Sequence, residues 1–227
     1  MWKSFSQAWQ LVVGADPELR HIIATTMRMS LTSTAIASVL GISLGVLLGS
    51  RNFWGKKLLL RITNTLMGLP PVVAGLVVFM LLSRSGPLGS LSLLFSVSAM
   101  VIAQVVLITP IVAGLTASAV AGRAPLIMET TRGLGIGRGR ELYYLLHETR
   151  AQLVAIMLTG YGRAISEVGA VQLVGGNVQY KTRVMTTAIM LETNRGNFDL
   201  ALALGIVLLL IAFVVNSIAQ QLSTISD

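Results

Sequence analysis

The 227-residue chain is 54% hydrophobic and only 11% charged, carries a formal net charge of +8 and contains no cysteine. Soluble domains hold about a quarter charged residues, so a water-soluble globular class is excluded, and the missing cysteines exclude disulfides, thiolate metal sites and thiol nucleophiles. The positive balance does not mark a nucleic-acid partner, because Lys and Arg fall in short tracts between apolar runs and aromatic residues make up only 6%.

In chain order, "MWKSFSQAWQLVVGAD" lacks the apolar core and small-residue cleavage site of a signal peptide. Residues 1–22 are read as an amphipathic lead-in lying on the membrane surface. Five apolar runs follow that are long enough to cross a bilayer: 23–49, 58–83, 91–121, 152–174 and 198–222. They make residues 23–222 an all-α transmembrane domain, with 223–227 as a short tail. The connections holding Arg51, Lys56, Lys57, Arg123, Arg132, Arg138, Arg140 and Arg150 are richer in cations than those holding Lys3, Arg20, Arg84, Lys181, Arg183 and Arg195. The positive-inside rule then places the first set in the cytoplasm, the N-terminus outside and the C-terminus inside.

Gly41, Gly45 and Gly49 recur every fourth residue of the first run, a small-residue stripe against which a second helix can pack closely. Hydroxyls at Thr25, Thr26, Ser30, Thr32, Ser33 and Thr34 are expected to bond back to their own helix, and none is assigned a role. Pro70, Pro71 and Pro110 interrupt apolar runs, which lipid tolerates only where neighbouring protein or a cavity satisfies the freed carbonyls. Kinked, glycine-striped helices point to a bundle around a pathway.

Residues 122–150 form a polar, basic connection too long for a tight turn. Within it "RAPLIMETTRGLG" predicts a short amphipathic helix from Pro125, with Leu126, Ile127, Thr130 and Leu134 on its apolar face and glycines ending it. Arg163 and Glu167 lie four apart in the fourth run and can pair on one face. Ionisable residues at membrane depth mark a gate or pathway lining, in which Ser166 and Gly169 are included, or an internal pair that neutralises itself. Gly175-Gly176-Asn177 reads as a turn, and "VMTTAIMLE" is too short to cross the bilayer. Asn177, Thr186 and Thr187, with Lys181 and Arg183 nearby, are suitable donors for a tetrahedral oxyanion, the alternative for the cations being a solvated basic loop.

Glu129-Thr130-Thr131 followed by Gly135 resembles the Glu-Ala-Ala loop of importer-type ABC permeases, with threonines where that family has alanines and Leu145-Leu146-His147-Glu148 where it has an element ending in proline. "GRAISEVGAVQLVGGN" and "GLPPVVAGL" are similar to elements of the sulfate, molybdate and tungstate permeases, and "TRVMTTAIMLETNRGNFDLALALGIVLLLIAF" is most like the tungstate type. The resemblance covers roughly residues 60–215. It implies a type I importer permease fold with a cytoplasmic coupling helix, in which Glu129, Thr130, Thr131 and Gly135 meet the ATPase. It further implies a homodimer, two copies of a separate ATPase that bind ATP and Mg, and an external binding protein. The expected cargo is tungstate, with molybdate or sulfate as the alternative.

No G-x-x-x-x-G-K-[ST] phosphate loop occurs, so ATP hydrolysis and every cofactor are expected on the partner chain. A self-sufficient secondary transporter would leave the basic connection unexplained and commonly shows internal repeats, which are not evident. An embedded enzyme lacks a constellation: His21 and His147 are far apart, and neither an H-E-x-x-H pair nor a G-x-S-x-G element is present.

Overall fold

The computed structural model describes residues 17–224, all helical or in connections between helices. Helix α1 spans Pro17–Ser50, α2 Lys56–Met67 and α3 Pro71–Leu82; after a 3-10 turn at Gly89–Leu91, α4 runs Val97–Gly133. Helices α5 (Arg138–Glu148), α6 (Arg150–Ile165), α7 (Gly169–Gly175), α8 (Met185–Asn194) and α9 (Phe198–Thr224) complete the chain. Residues 1–16 of the expected lead-in and 225–227 of the expected tail lie outside the described residues.

Small residues decide how α1 packs. Its buried face reads Ser30, Ser33, Thr34, Ala37, Ser38, Gly41 and Gly45, while Leu31, Val39 and Leu40 point outward. The glycine stripe meets α4: a Cβ on Gly41 would lie 2.7 Å from Val112 Cβ, and one on Gly45 only 2.5 Å from Thr116 Cβ. Without side chains on α1, the two backbones close to a distance that any larger residue would forbid.

Among the described residues, four buried clusters hold the bundle, and two of them each join four helices. Met29, Val78, Met100, Leu107 and Val171 bring α1, α3, α4 and α7 together; Leu19, Ile22, Tyr161, Ile165, Met185 and Leu204 join α1, α6, α8 and α9. The outer surface is just as apolar, with Leu209 and Phe213 each 71% exposed on α9. In water such a face would drive association, whereas in a bilayer it is solvated by acyl chains. The chain is a multi-pass membrane protein.

The expectation of five spans requires correction. Among the described residues three helices are long and apolar enough to cross a membrane, or up to four if the bent pair α2 and α3 counts as one span. That pair turns by 103°, because Pro70 and Pro71 have no N–H to continue the ladder. The chain restarts by capping on Pro70, whose carbonyl accepts the N–H groups of Val73 and Ala74. The fourth predicted span, 152–174, is divided between the 16-residue α6 and the 7-residue α7.

The third predicted span and the amphipathic helix expected after it are one element. Helix α4 starts at Val97, where the Ser96 hydroxyl caps it by accepting the Ala99 N–H, and continues for 37 residues through both Pro110 and Pro125. Pro125 is absorbed within the helix and does not begin a new one. The glycines do end it: Leu134 follows the last turn and Gly135 takes φ +68°, after which the chain reverses into α5, a helix the hydropathy pattern does not predict.

Candidate functional site

The division between α6 and α7 is built from polar residues that repair a broken backbone. Ser166 turns its hydroxyl back onto the carbonyls of Gly162 (3.0 Å) and Arg163 (3.2 Å). The Glu167 carboxylate pairs with Arg163 at 3.0 Å and accepts the Ala170 N–H at 3.2 Å, capping the start of α7. Thr186, from the first turn of α8, donates its hydroxyl to the Glu167 carbonyl at 2.8 Å. An interrupted helix leaves backbone groups without their intrahelical partners, and these side chains satisfy several of them.

The ion pair is lopsided. The Glu167 side chain is 4% exposed and that of Arg163 is 37% exposed, so the carboxylate is locked inside while the guanidinium reaches the surface of the chain. Gly169 is required by packing: a Cβ there would meet Val72 Cγ2 at 2.9 Å, where the first turn of α3 crosses. On the next turn of α3, a Cβ on Gly75 would lie 2.6 Å from Ala170 Cα. Arg163, Ser166, Glu167, Gly169 and Thr186 therefore form one cluster at the crossing of α3, α6, α7 and α8.

Asn177 and Thr187 form a second cluster beside it. Asn177 lies in the left-handed region at φ +51°, following Gly176 at +68°, which makes the turn read from the sequence. Thr187 is fully buried; its hydroxyl donates to Asn177 Oδ1 at 2.9 Å and accepts the Val184 N–H at 3.2 Å. Thr182 closes the same loop by donating to the Gly175 carbonyl and accepting the Val178 N–H. Arg183 pairs with Glu18 at 2.7 Å, and Thr26 accepts the Met185 N–H at 2.9 Å, so the start of α8 is pinned to α1.

Gln104 was not singled out by sequence reasoning. It is fully buried on α4, donates Nε2–H to the Ala164 carbonyl at 2.7 Å and accepts the Ser33 hydroxyl, tying α1, α4 and α6 at one point next to the break. The available signal was an amide standing alone in the apolar run "MVIAQVVLI". Of the first-helix hydroxyls, Thr26, Thr32 and Ser33 bond back to carbonyls one turn earlier, as expected, while those of Ser30 and Thr34 have no partner in the bundle.

The remaining predicted residues lie at the far end of α4. Glu129 and Thr130 are exposed, Thr131 is buried with its hydroxyl on the Ile127 carbonyl, and Gly135 makes the reversal. Between this end of α4 and α5 opens a groove of about 760 Å³ lined by Leu126, Thr130, Leu134, Ile136, Tyr144 and His147. Leu126 and Leu134 are 72% and 71% exposed on its rim. From Gln104 to Glu129 the helix rises by about 37 Å at 1.5 Å per residue, so the two groups of residues occupy opposite parts of the molecule. Among the described residues no group of three His, Asp or Glu is placed to hold a metal.

Residues 41–224 match the family described as binding-protein-dependent transport system inner membrane component. The chain is 41% identical to the tungstate uptake system permease protein TupB of Peptoclostridium acidaminophilum, over 97% of this chain and 96% of that protein. It is 38% identical to a probable anion ABC transporter permease protein of Haloferax volcanii (89% and 90% covered) and 35% identical to TupB of Campylobacter jejuni (98% and 93%). With nearly all of the bundle inside the matched region, the chain belongs to the inner-membrane components of binding-protein-dependent transport systems, the permease subunits of ABC transporters.

Proposed function

We propose that this chain is the transmembrane subunit of an ATP-driven importer that passes tungstate from an external binding protein into the cytoplasm. The observation that carries the reading is the 41% identity to a tungstate permease across 97% of the chain. An oxyanion cargo is compatible with the break, whose buried carboxylate, Glu167, is neutralised by Arg163. In this reading the divided pair α6 and α7 makes a crossing in addition to α1, the bent pair α2 and α3, α4 and α9. The cation-rich connections lie inside, the N-terminus outside.

The exposed end of α4, with Glu129, Thr130, Thr131 and Gly135, is the coupling element that seats in a separate ATPase. Two permease copies enclose the route, each with its own ATPase, because the few spans of a single chain are too thin to close a pathway. Arg163, Ser166, Glu167, Gly169, Asn177, Thr186 and Thr187 contribute to the gate by fixing the break and the loop beside it; Thr187 acts structurally through Asn177.

The test is elemental mass spectrometry of cells lacking the gene, with and without its restoration, in trace tungstate, molybdate or limiting sulfate. Restored tungsten uptake with molybdenum little changed is the expected result. A response of molybdenum or sulfur instead replaces the cargo, and no response refutes the oxyanion reading. For the coupling element, Gly135→Asp is expected to abolish co-purification of the ATPase while the permease still inserts, and retained co-purification would refute that assignment.

A further inference from the structure

Between α1 and α2 the chain runs Arg51-Asn52-Phe53-Trp54-Gly55-Lys56-Lys57. Trp54 is 100% exposed and Phe53 37% exposed, although both are large and apolar. Gly55, at φ +88°, turns the chain directly into α2. There Leu58, Ile62 and Leu66 form one exposed row (61%, 45% and 37%), while helical spacing carries Lys57, Arg61 and Asn64 to another face. Exposed indole beside cations, continued by an amphipathic helix, is the pattern of chain lying in a membrane interface.

Behind this segment is a cleft of about 560 Å³ where the end of α1, the start of α2 and the end of α4 converge. Arg51, Lys56 and Arg132 line it, against the single carboxylate of Glu129. Lys56 reaches Asn52 Oδ1 at 3.2 Å and Arg132 forms an ion pair with Glu141 at 3.8 Å, which leaves Arg51 and Lys56 against Glu129 as the positive excess of the cleft. The cleft thus combines excess positive charge with an aromatic and apolar rim at the mouth of an apolar span.

We propose that the Arg51 and Lys56 side of this cleft, away from the Glu129 wall that seats in the ATPase, binds the phosphate headgroup of an anionic phospholipid, with Phe53, Trp54 and the apolar row of α2 seated in the adjoining leaflet. The charge calls for an anion, and the rim calls for acyl chains; a phospholipid supplies both in one molecule. The inference rests on the membrane location of the family and not on the identity of the transported ion.

The chain has three tryptophans, so Trp2→Phe with Trp9→Phe leaves Trp54 as the sole indole. In that background, reconstituted permease is titrated with brominated phosphatidylglycerol or brominated phosphatidylcholine, and quenching of Trp54 is read. Phosphatidylglycerol is expected to quench at lower mole fraction. Arg51→Gln with Lys56→Gln is expected to weaken that preference roughly 25-fold, at about fivefold for each cation beside an anionic surface. Arg51→Lys with Lys56→Arg, which keeps both charges, is expected to retain it. Absence of quenching by either lipid overturns the proposal, as does equal quenching by both. Loss of the preference on adding millimolar inorganic phosphate at constant ionic strength also overturns it, by making the cleft a soluble-anion site.

Discussion

Replacing Gly45 by alanine tests the closest contact in the bundle. The new Cβ would lie 2.5 Å from Thr116 Cβ and 2.6 Å from the Ala113 carbonyl oxygen, against an ordinary separation of about 3.5–4.0 Å. Neither obstacle is the end of a flexible side chain, so α1 and α4 must separate by about 1 Å. Gly41 and Gly49 meet the same helix at 2.7 and 2.8 Å, and separation at Gly45 therefore loosens a seam about one turn long in each direction of the stripe. Overpacking of this kind costs about 1–3 kcal/mol. Alanine also favours helix over glycine by about 1 kcal/mol, which must be removed from the comparison. Gly122→Ala, on α4 with nothing within 4 Å of the added Cβ, carries that gain alone. In mixed micelles titrated with SDS, Gly45→Ala should unfold with a free energy about 1–3 kcal/mol below that of Gly122→Ala. Coincident unfolding of the two variants would refute the close approach.

Gln104→Leu removes two interhelical hydrogen bonds at nearly constant volume; at about 0.6 kcal/mol each, and up to about 1.7, the same titration should show a loss of about 1–3 kcal/mol. Arg183→Met should loosen the start of α8 on α1, where the Met185 N–H still bonds to Thr26, costing about 1–2 kcal/mol, less than a fully buried pair because Glu18 is 27% exposed; faster amide exchange across 178–188 is the readout. Thr187→Val leaves the Val184 N–H and the Asn177 side chain without their hydroxyl partner, at about 1–3 kcal/mol. Its effect should appear in the exchange of residues 177–187 before it appears in global unfolding.

Hydropathy was sufficient for the long helices, because a bilayer imposes one length and one polarity on anything that crosses it. The glycine stripe was equally legible, since four-residue spacing admits only one geometric use on a helix. What escaped were the interruptions. Pro70 and Pro71 announce a break but not its 103° angle, which depends on α3 meeting Ala170 through Gly75. The division at residues 166–168 carries neither proline nor a glycine stop, and it exists because Glu167 and Thr186 cap both sides from elements 19 residues apart. Pro125 misled in the opposite sense: at the end of a long helix with its outer face open, the missing N–H costs little and the helix runs on. The polar residues of the candidate site were found by type, but their partners are tertiary, and Gln104 was hidden by having no charge.

Helix α4 has a mechanical meaning beyond packing. A 37-residue rod is about 55 Å long, so a tilt of about 5° about its middle, imposed at the Glu129 end, displaces the Val97 end by about 2 Å. The fulcrum is where the rod is most firmly clamped, at Gln104 and the glycine seam, and Pro110 lies between these clamps as the place where stiffness yields. A displacement of the Glu129 end would thus reach Ala164 and Glu167 without passing through any loop, with a stroke set by geometry instead of by the strength of any one contact.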